Sequence, residues 1–178
     1  QEAPRPQLLH PLQVYGITLK VVESFKYLGR VMTHDDNDGT AIAARLATAR
    51  GVFARLKRQL FKYEMSPVTR VAIFESVVTS SVLYGCETWV LTSASAQALN
   101  TFQQKGLRHC LKMHPTIVNG APKYPRAEDV LRKANVTLLS ERVRERVRSF
   151  GAKLPDVCPS TYEILQGRVP HARRGHRT

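Results

Sequence analysis

Six apolar side chains, Ile42, Leu46, Ala49, Phe53, Leu56 and Leu60, recur at spacings of 4-3-4-3-4. A helix turning about 100° per residue puts all six on one side, whereas a strand, whose side chains alternate, scatters them over both faces. A stripe of this kind has to be covered by another element, which commits the chain to helix-on-helix packing. The Thr40 hydroxyl is suited to cap its first turn. On the same wheel Ala44, Gly51, Arg55, Arg58 and Lys62 fall opposite the stripe. That face combines small residues with cations, so a phosphate backbone could approach it; an ordinary solvated face fits the pattern equally well.

The rest of the chain is mostly helical in pattern. Ser66-Pro67 pairs a capping hydroxyl with a proline at the first helical position. The following stretch, residues 68–84, is apolar nearly all round, with only Arg70 and Glu75 charged. It reads as a buried central helix, although its β-branched residues keep a strand open as an alternative. Gly85 permits a break. Thr92 or Ser93 then caps a third helix to about Met113, with Leu99, Phe102, Gly106, Cys110 and Met113 on its apolar side. Lys105, Arg108 and Lys112 share another side, and Pro115 ends it. Residues 116–125 read as a loop, 127–133 as a short helix, Asn135 as a turn and 139–150 as a last helix. That helix carries Arg142, Arg144, Arg146 and Arg148, partly offset by Glu141 and Glu145; four arginines suit bidentate contacts with RNA or DNA phosphates. Upstream, Pro4, Pro6 and Pro11 mark an irregular entry. Residues 14–22 and 25–32 are β-rich and would pair as a hairpin through Glu23-Ser24. Residues 34–39 form a polar, acidic loop, and 167–178, rich in Arg and His, are expected to be disordered.

Charge narrows the partners. With 27 Lys+Arg against 14 Asp+Glu the formal net charge is +13 and the pI about 10.2. Residues 1–40 carry a net −1, while 41–90 carry +4, 91–140 +5 and 141–178 +5. The basicity therefore belongs to the whole body after residue 40 and points to a polyanion as partner. No apolar run approaches the roughly 20 residues that span a bilayer, and no signal region is visible. Cys86, Cys110 and Cys158 are odd in number and widely spaced, which argues against a disulfide framework and fits an intracellular, reducing compartment, nucleus or cytoplasm.

Catalytic and metal-binding patterns are weak. As a calcium loop, the run from His34 to Gly39 has histidine at the first ligand position and Arg45 where the bidentate glutamate belongs. The cysteines and histidines show no triad-like grouping, and the apolar face around Cys110 accounts for it as a core residue. Trp89 lies at a turn between helices and is better explained by core packing than by stacking on a base.

Two motifs carry a family resemblance. Phe25-Lys26-Tyr27-Leu28-Gly29 and, downstream, Val82-Leu83-Tyr84-Gly85-Cys86-Glu87-Thr88-Trp89 resemble, in that order, the region after the catalytic palm in reverse transcriptases of non-LTR (LINE-type) retrotransposons. The likeness spans about residues 14–113 and includes Leu99, Phe102, Leu107 and Arg108. Further on, Phe150 and Ala152 stand where the family often has Trp and His. The resemblance implies a mainly α fold: a helical thumb-like bundle (37–114), preceded by a small β-hairpin of the primer grip (1–36) and followed by a basic helical extension (115–178). It implies that Tyr27, Leu28 and Gly29 help position a primer end, and that Arg55, Arg58, Lys62, Arg108 and Lys112 track the backbone of an RNA template or RNA–DNA hybrid; Arg142 and Arg146 extend the basic surface. The parent enzyme would copy RNA into DNA with two Mg²⁺ ions held by palm carboxylates upstream of Gln1. No cofactor is expected in this chain, nor polymerase activity from it alone. Asp35-Asp36 does not supply that pair, since the family's motif has an aromatic residue before it and an apolar strand after it. A start at Gln1 fits a fragment whose palm and fingers are missing. The rival expectation is a free-standing basic helical RNA- or DNA-binding protein, or an inactive relic of such an element.

Overall fold

The computed structural model of the chain describes residues 13–20, 22, 24–27, 30–33, 38–159 and 162–163. The apolar stripe becomes α1, Asp38–Lys62, with Ile42, Leu46, Ala49 and Leu60 buried and Phe53 and Leu56 at the edge of the same core. The helix starts two residues before Thr40. Asp38 places an acidic side chain in the first turn, where the helix dipole favours it, and its Oδ2 accepts the Val90 N–H at 2.8 Å. The expected Thr40 cap is thus displaced, and Asp38 and Gly39 belong to the helix instead of the acidic loop. Residues 34–37, with Asp35 and Asp36, lie outside the described residues.

Ser66 caps the next helix as its hydroxyl accepts the Thr69 N–H at 3.1 Å, and Pro67 opens α2, Pro67–Ile73. The chain stays helical through a π-helical segment, Phe74–Thr79, and α3, Ser80–Leu83. The strand alternative is not realised. Phe74, Val78 and Val82 are all fully buried at spacings of four. Pure α-helix would rotate each about 40° past the last; the wider π turn offsets that drift and keeps them on one line. The segment is not buried all round, as its composition suggests: Val68 is 78% exposed and Val77 43%. After a short 3₁₀ turn, Cys86–Thr88, Trp89 is buried in the core, as expected.

Thr92 accepts the Ser95 N–H at 3.2 Å and caps α4, Ser93–Cys110. This helix ends before Met113. Lys112 takes a left-handed φ of 53°, and the Met113 N–H turns back to the Arg108 carbonyl at 2.8 Å, a Schellman closure, so Pro115 is not the stop. The expected loop at 116–125 contains a hairpin, β5 (Thr116–Val118) with β6 (Ala121–Lys123). Its turn residues Asn119 and Gly120 both have positive φ, 52° and 77°, the mirror-image geometry that Asn-Gly favours.

The N-terminal strands also close differently. β1 (Gln13–Val14) pairs with β2 (Ile17–Thr18) around Tyr15-Gly16, and β3 (Ser24–Tyr27) pairs with β4 (Arg30–Thr33). Each β-rich run folds on itself or on its near neighbour, and the turn expected at Glu23-Ser24 does not join them. β4 packs on α1, while α1 lies against the π segment, α3 and α4. The chain is mainly helical with small antiparallel hairpins near its start.

α5 (Ala127–Ala134) ends at a left-handed Asn135, and α6 (Leu139–Val157) runs seven residues past its expected end at Phe150. Residues 164–178, including the basic tail, lie outside the described residues. Val130, Leu139 and Val143 join the core formed by α1–α4. The start of α6 has no side-chain cap of its own. α4 supplies it: the fully buried Gln103 accepts the Leu139 N–H at 2.8 Å and donates to the Thr137 carbonyl at 2.9 Å, and Asn100 accepts the Ser140 N–H at 3.0 Å.

Two glycines test the packing. A Cβ on Gly106 would sit 2.3 Å from the buried Phe74 ring, while one on Gly51 meets nothing within 4 Å. Urea denaturation should show Gly106→Ala destabilised by about 1–3 kcal/mol through overpacking, and Gly51→Ala stabilised by roughly 0.5–1 kcal/mol through helix propensity. Gln103→Leu orphans a buried N–H and a carbonyl and should lose about 1–3 kcal/mol for each group.

Candidate nucleic-acid interface

A trough runs between α1 and α4 beside the Phe74–Gly106 contact. Three adjoining cavities of about 660, 740 and 490 Å³ make it up, and all three share His109. The floor is apolar and small: Phe53, Ala54, Phe61, Ala98, Phe102 and Gly106. The rim is cationic, with Arg50, Lys57, Arg58 and Lys62 from α1 facing Lys105 and Lys112 from α4 and its end. Among the described residues no acidic side chain lines any of the three cavities and none of these six cations is held in an ion pair. Six unpaired cations along one trough create a positive field with no internal neutralisation, which suits a row of phosphates.

His109 lies at the centre, edge-on to Phe61 and Phe53 at ring-centroid distances of 4.9 and 6.0 Å. Burial first, then the nearby positive charges of Lys57, His114 and Arg70, hold its pKa below 6.5. Beneath it Arg70 is buried, with its guanidinium 5.0 Å over the Phe61 ring. Burial pushes the Cys86 and Cys110 thiols up to about 11, so both are protonated near neutrality.

The structure divides the residues singled out from the sequence. Arg58, Lys62 and Lys112 line the trough, and Arg55 is exposed beside them on α1. Arg108 reaches its outer end but is engaged: it donates to the Pro125 carbonyl at 3.0 Å and Gln104 Oε1 at 3.3 Å and lies 5.9 Å over the Tyr124 ring. It fastens the β5–β6 hairpin more than it faces a ligand. Arg142 pairs with Glu75 of the π segment, whose carboxylate also accepts from Thr79. Arg146 pairs with Glu87 at 3.4 Å. Both arginines tie α6 to the helices beneath it. Tyr27 lies apart from the trough, near Arg45, Tyr84 and Arg146; Leu28 and Gly29 lie outside the described residues.

Arg50, Lys57, Lys105, His109 and His114 were not among the expected site residues. Arg50 and Lys57 fall about 80° and 60° from the centre of the apolar stripe, on its flank and not opposite it, so a wheel searched only for the far face passes over them. The 4-3-4 series Arg50, Ala54, Lys57, Phe61 was the available signal.

Among the described residues no group of three or more His, Cys, Asp or Glu side chains could hold a metal ion. No helix among the described residues is long and apolar enough to cross a membrane. Comparison with family models, curated proteins and solved structures gives no match.

The depressed pKa of His109 gives a signed prediction. The unfolded chain takes up this proton near pH 6.5 and the folded chain only at lower pH, so stability falls as pH drops below 6.5. The loss levels off below the folded value. Urea titrations at pH 7.5, 6.5 and 5.5 should show a smaller acid-side loss in His109→Gln than in the parent.

Proposed function

We propose that this chain grips a template–primer duplex, as the thumb-side piece of a reverse transcriptase of the non-LTR retrotransposon type. The observation that carries the proposal is the trough, whose unpaired cations stand on two helices over an apolar floor. The order of the Phe25-Lys26-Tyr27-Leu28-Gly29 and Leu83-Tyr84-Gly85-Cys86-Glu87-Thr88-Trp89 motifs supports the same reading. A polymerase has to slide over any sequence, so it needs contacts to backbone phosphates and few to base edges. Long Lys and Arg side chains on a rim supply such contacts without reading sequence. Arg58, Lys62 and Lys112 keep the role expected of them, joined by Arg50, Lys57 and Lys105, with Arg55 alongside. Arg108, Arg142 and Arg146 serve chiefly to hold the scaffold. The chemistry of nucleotide addition belongs to palm carboxylates that are not part of this set, and the function proposed for the chain is binding.

The test is fluorescence anisotropy with a blunt RNA–DNA hybrid over a salt series. With five or six phosphate contacts the slope of log K against log salt should be about −5. Lys57→Glu with Arg58→Glu should weaken binding at least tenfold without lowering the thermal midpoint, because both side chains are exposed. A flat salt dependence, or unchanged affinity in the charge-reversed protein, would sink the trough assignment. Tighter binding of hybrid than of DNA duplex supports the polymerase reading, while equal binding favours a free-standing basic binding protein.

A further inference from the structure

A second cleft, of about 670 Å³, opens on another side of α1 and is lined by Tyr27, Arg45, Tyr84, Glu87, Arg146 and Phe150, with Gly85 and Thr88 between them. Arg45 leaves α1 about 140° round from Arg50, so the cleft and the trough use different faces of the same helix. Three aromatic side chains from three different parts of the chain converge here, and all are open to solvent: Tyr27 and Tyr84 at 60% and Phe150 at 42%. Nothing in the core requires them. Each is carried on or directly beside a secondary-structure element. Tyr27 ends β3, Tyr84 follows α3 directly before a left-handed Gly85, and Phe150 stands one helical turn beyond Arg146 on α6. The Arg45 guanidinium lies 4.9 Å over the Tyr84 ring. Arg146 is fixed between the Leu83 carbonyl and the Glu87 carboxylate, both at 3.4 Å.

Exposed aromatic faces accompanied by guanidinium groups are the chemistry that holds unpaired bases, because every base has a face to stack and every nucleotide a phosphate to neutralise. We infer that this cleft binds an unpaired nucleotide within a single strand of RNA or DNA, its base stacked on Phe150 and on the Tyr84 face that Arg45 does not cover, and its phosphate facing Arg45. A free nucleoside triphosphate is a poorer match, since Arg146 already pairs with Glu87 and leaves only Arg45 for a polyphosphate. A base pair presents no free face in mid-duplex, so the cleft selects strand where the trough selects duplex. The inference deepens the proposed function and rests on the chain being a nucleic-acid binder, while using none of the trough residues.

The experiment measures anisotropy of two fluorescein-labelled probes, a twelve-nucleotide oligoadenylate strand (on the order of one cleft site plus flanks) and the blunt hybrid. The full chain is compared with Tyr84→Ala, Phe150→Ala, Tyr84→Phe and Arg58→Glu. Both alanine variants should bind the single strand about tenfold more weakly and the blunt hybrid unchanged, and Tyr84→Phe should keep single-strand affinity. Arg58→Glu should do the reverse, losing hybrid more than strand. Unchanged single-strand affinity in both alanine variants overturns the cleft assignment and leaves the trough standing. Equal loss on both probes overturns it as well, because the two sites would then not be separate. Loss confined to the hybrid in Arg58→Glu with no effect of the aromatic variants supports the trough alone and rejects the cleft.

Discussion

Most of the structure depends on one close approach, the Phe74 ring lying against the backbone of Gly106 where a side chain would stand. It brings α4 down onto the π segment. Phe53 packs edge-on to Phe74 at 5.1 Å, and Phe102 lies 6.3 Å away at a tilt. Phe53 and Phe102, packed around the buried Phe74, also form part of the floor of the trough. Floor and foundation are therefore one object, and the cations on the rim are mounted on it directly. The separation of Arg50 and Lys57 from Lys105 is set by a packed contact and not by flexible loops.

The sequence made the helices legible because their signals are local. A 4-3-4-3-4 stripe, a Ser-Pro start and a Thr cap each need only a few neighbouring residues to act, and each appears where expected or within two or three residues of it. The β5–β6 hairpin was read as a loop: Asn119-Gly120 was its one local signal, and a short exposed strand pair has little apolar alternation to announce it. The π segment was not legible. It arises from a conflict between residues spaced by four and a helix that turns in 3.6, and the conflict is resolved only once Phe74, Val78 and Val82 have a common core to face.

Which arginines are free was the least readable property. Arg142 and Arg58 look alike in a sequence, both on basic helices. What distinguishes them is a carboxylate more than sixty residues away, Glu75, which meets Arg142 and not Arg58. Ion pairing across elements takes up Arg142 and Arg146 of α6, whereas Arg50, Lys57, Arg58 and Lys62 of α1 meet no carboxylate among the described residues. Charge counted along the chain therefore overstates the binding potential of the arginine-rich helix and understates that of the first. The aromatic cleft was hidden for a related reason: Tyr27, Tyr84 and Phe150 are scattered through the sequence, and only the packing of α6 and β4 against the helical core brings them together.

The way α6 begins carries a consequence for how the molecule is assembled. Its first amide groups are received by Gln103 and Asn100, side chains of a helix made earlier in the chain. An arginine-rich helix with no cap of its own is poorly stable in isolation, because its leading N–H groups have nowhere to go but water. During synthesis α4 leaves the ribosome before α6, so the acceptors are waiting when the donors arrive. The chain grows in the order in which these two helices need each other, and α6 starts on acceptors that α4 has already put in place.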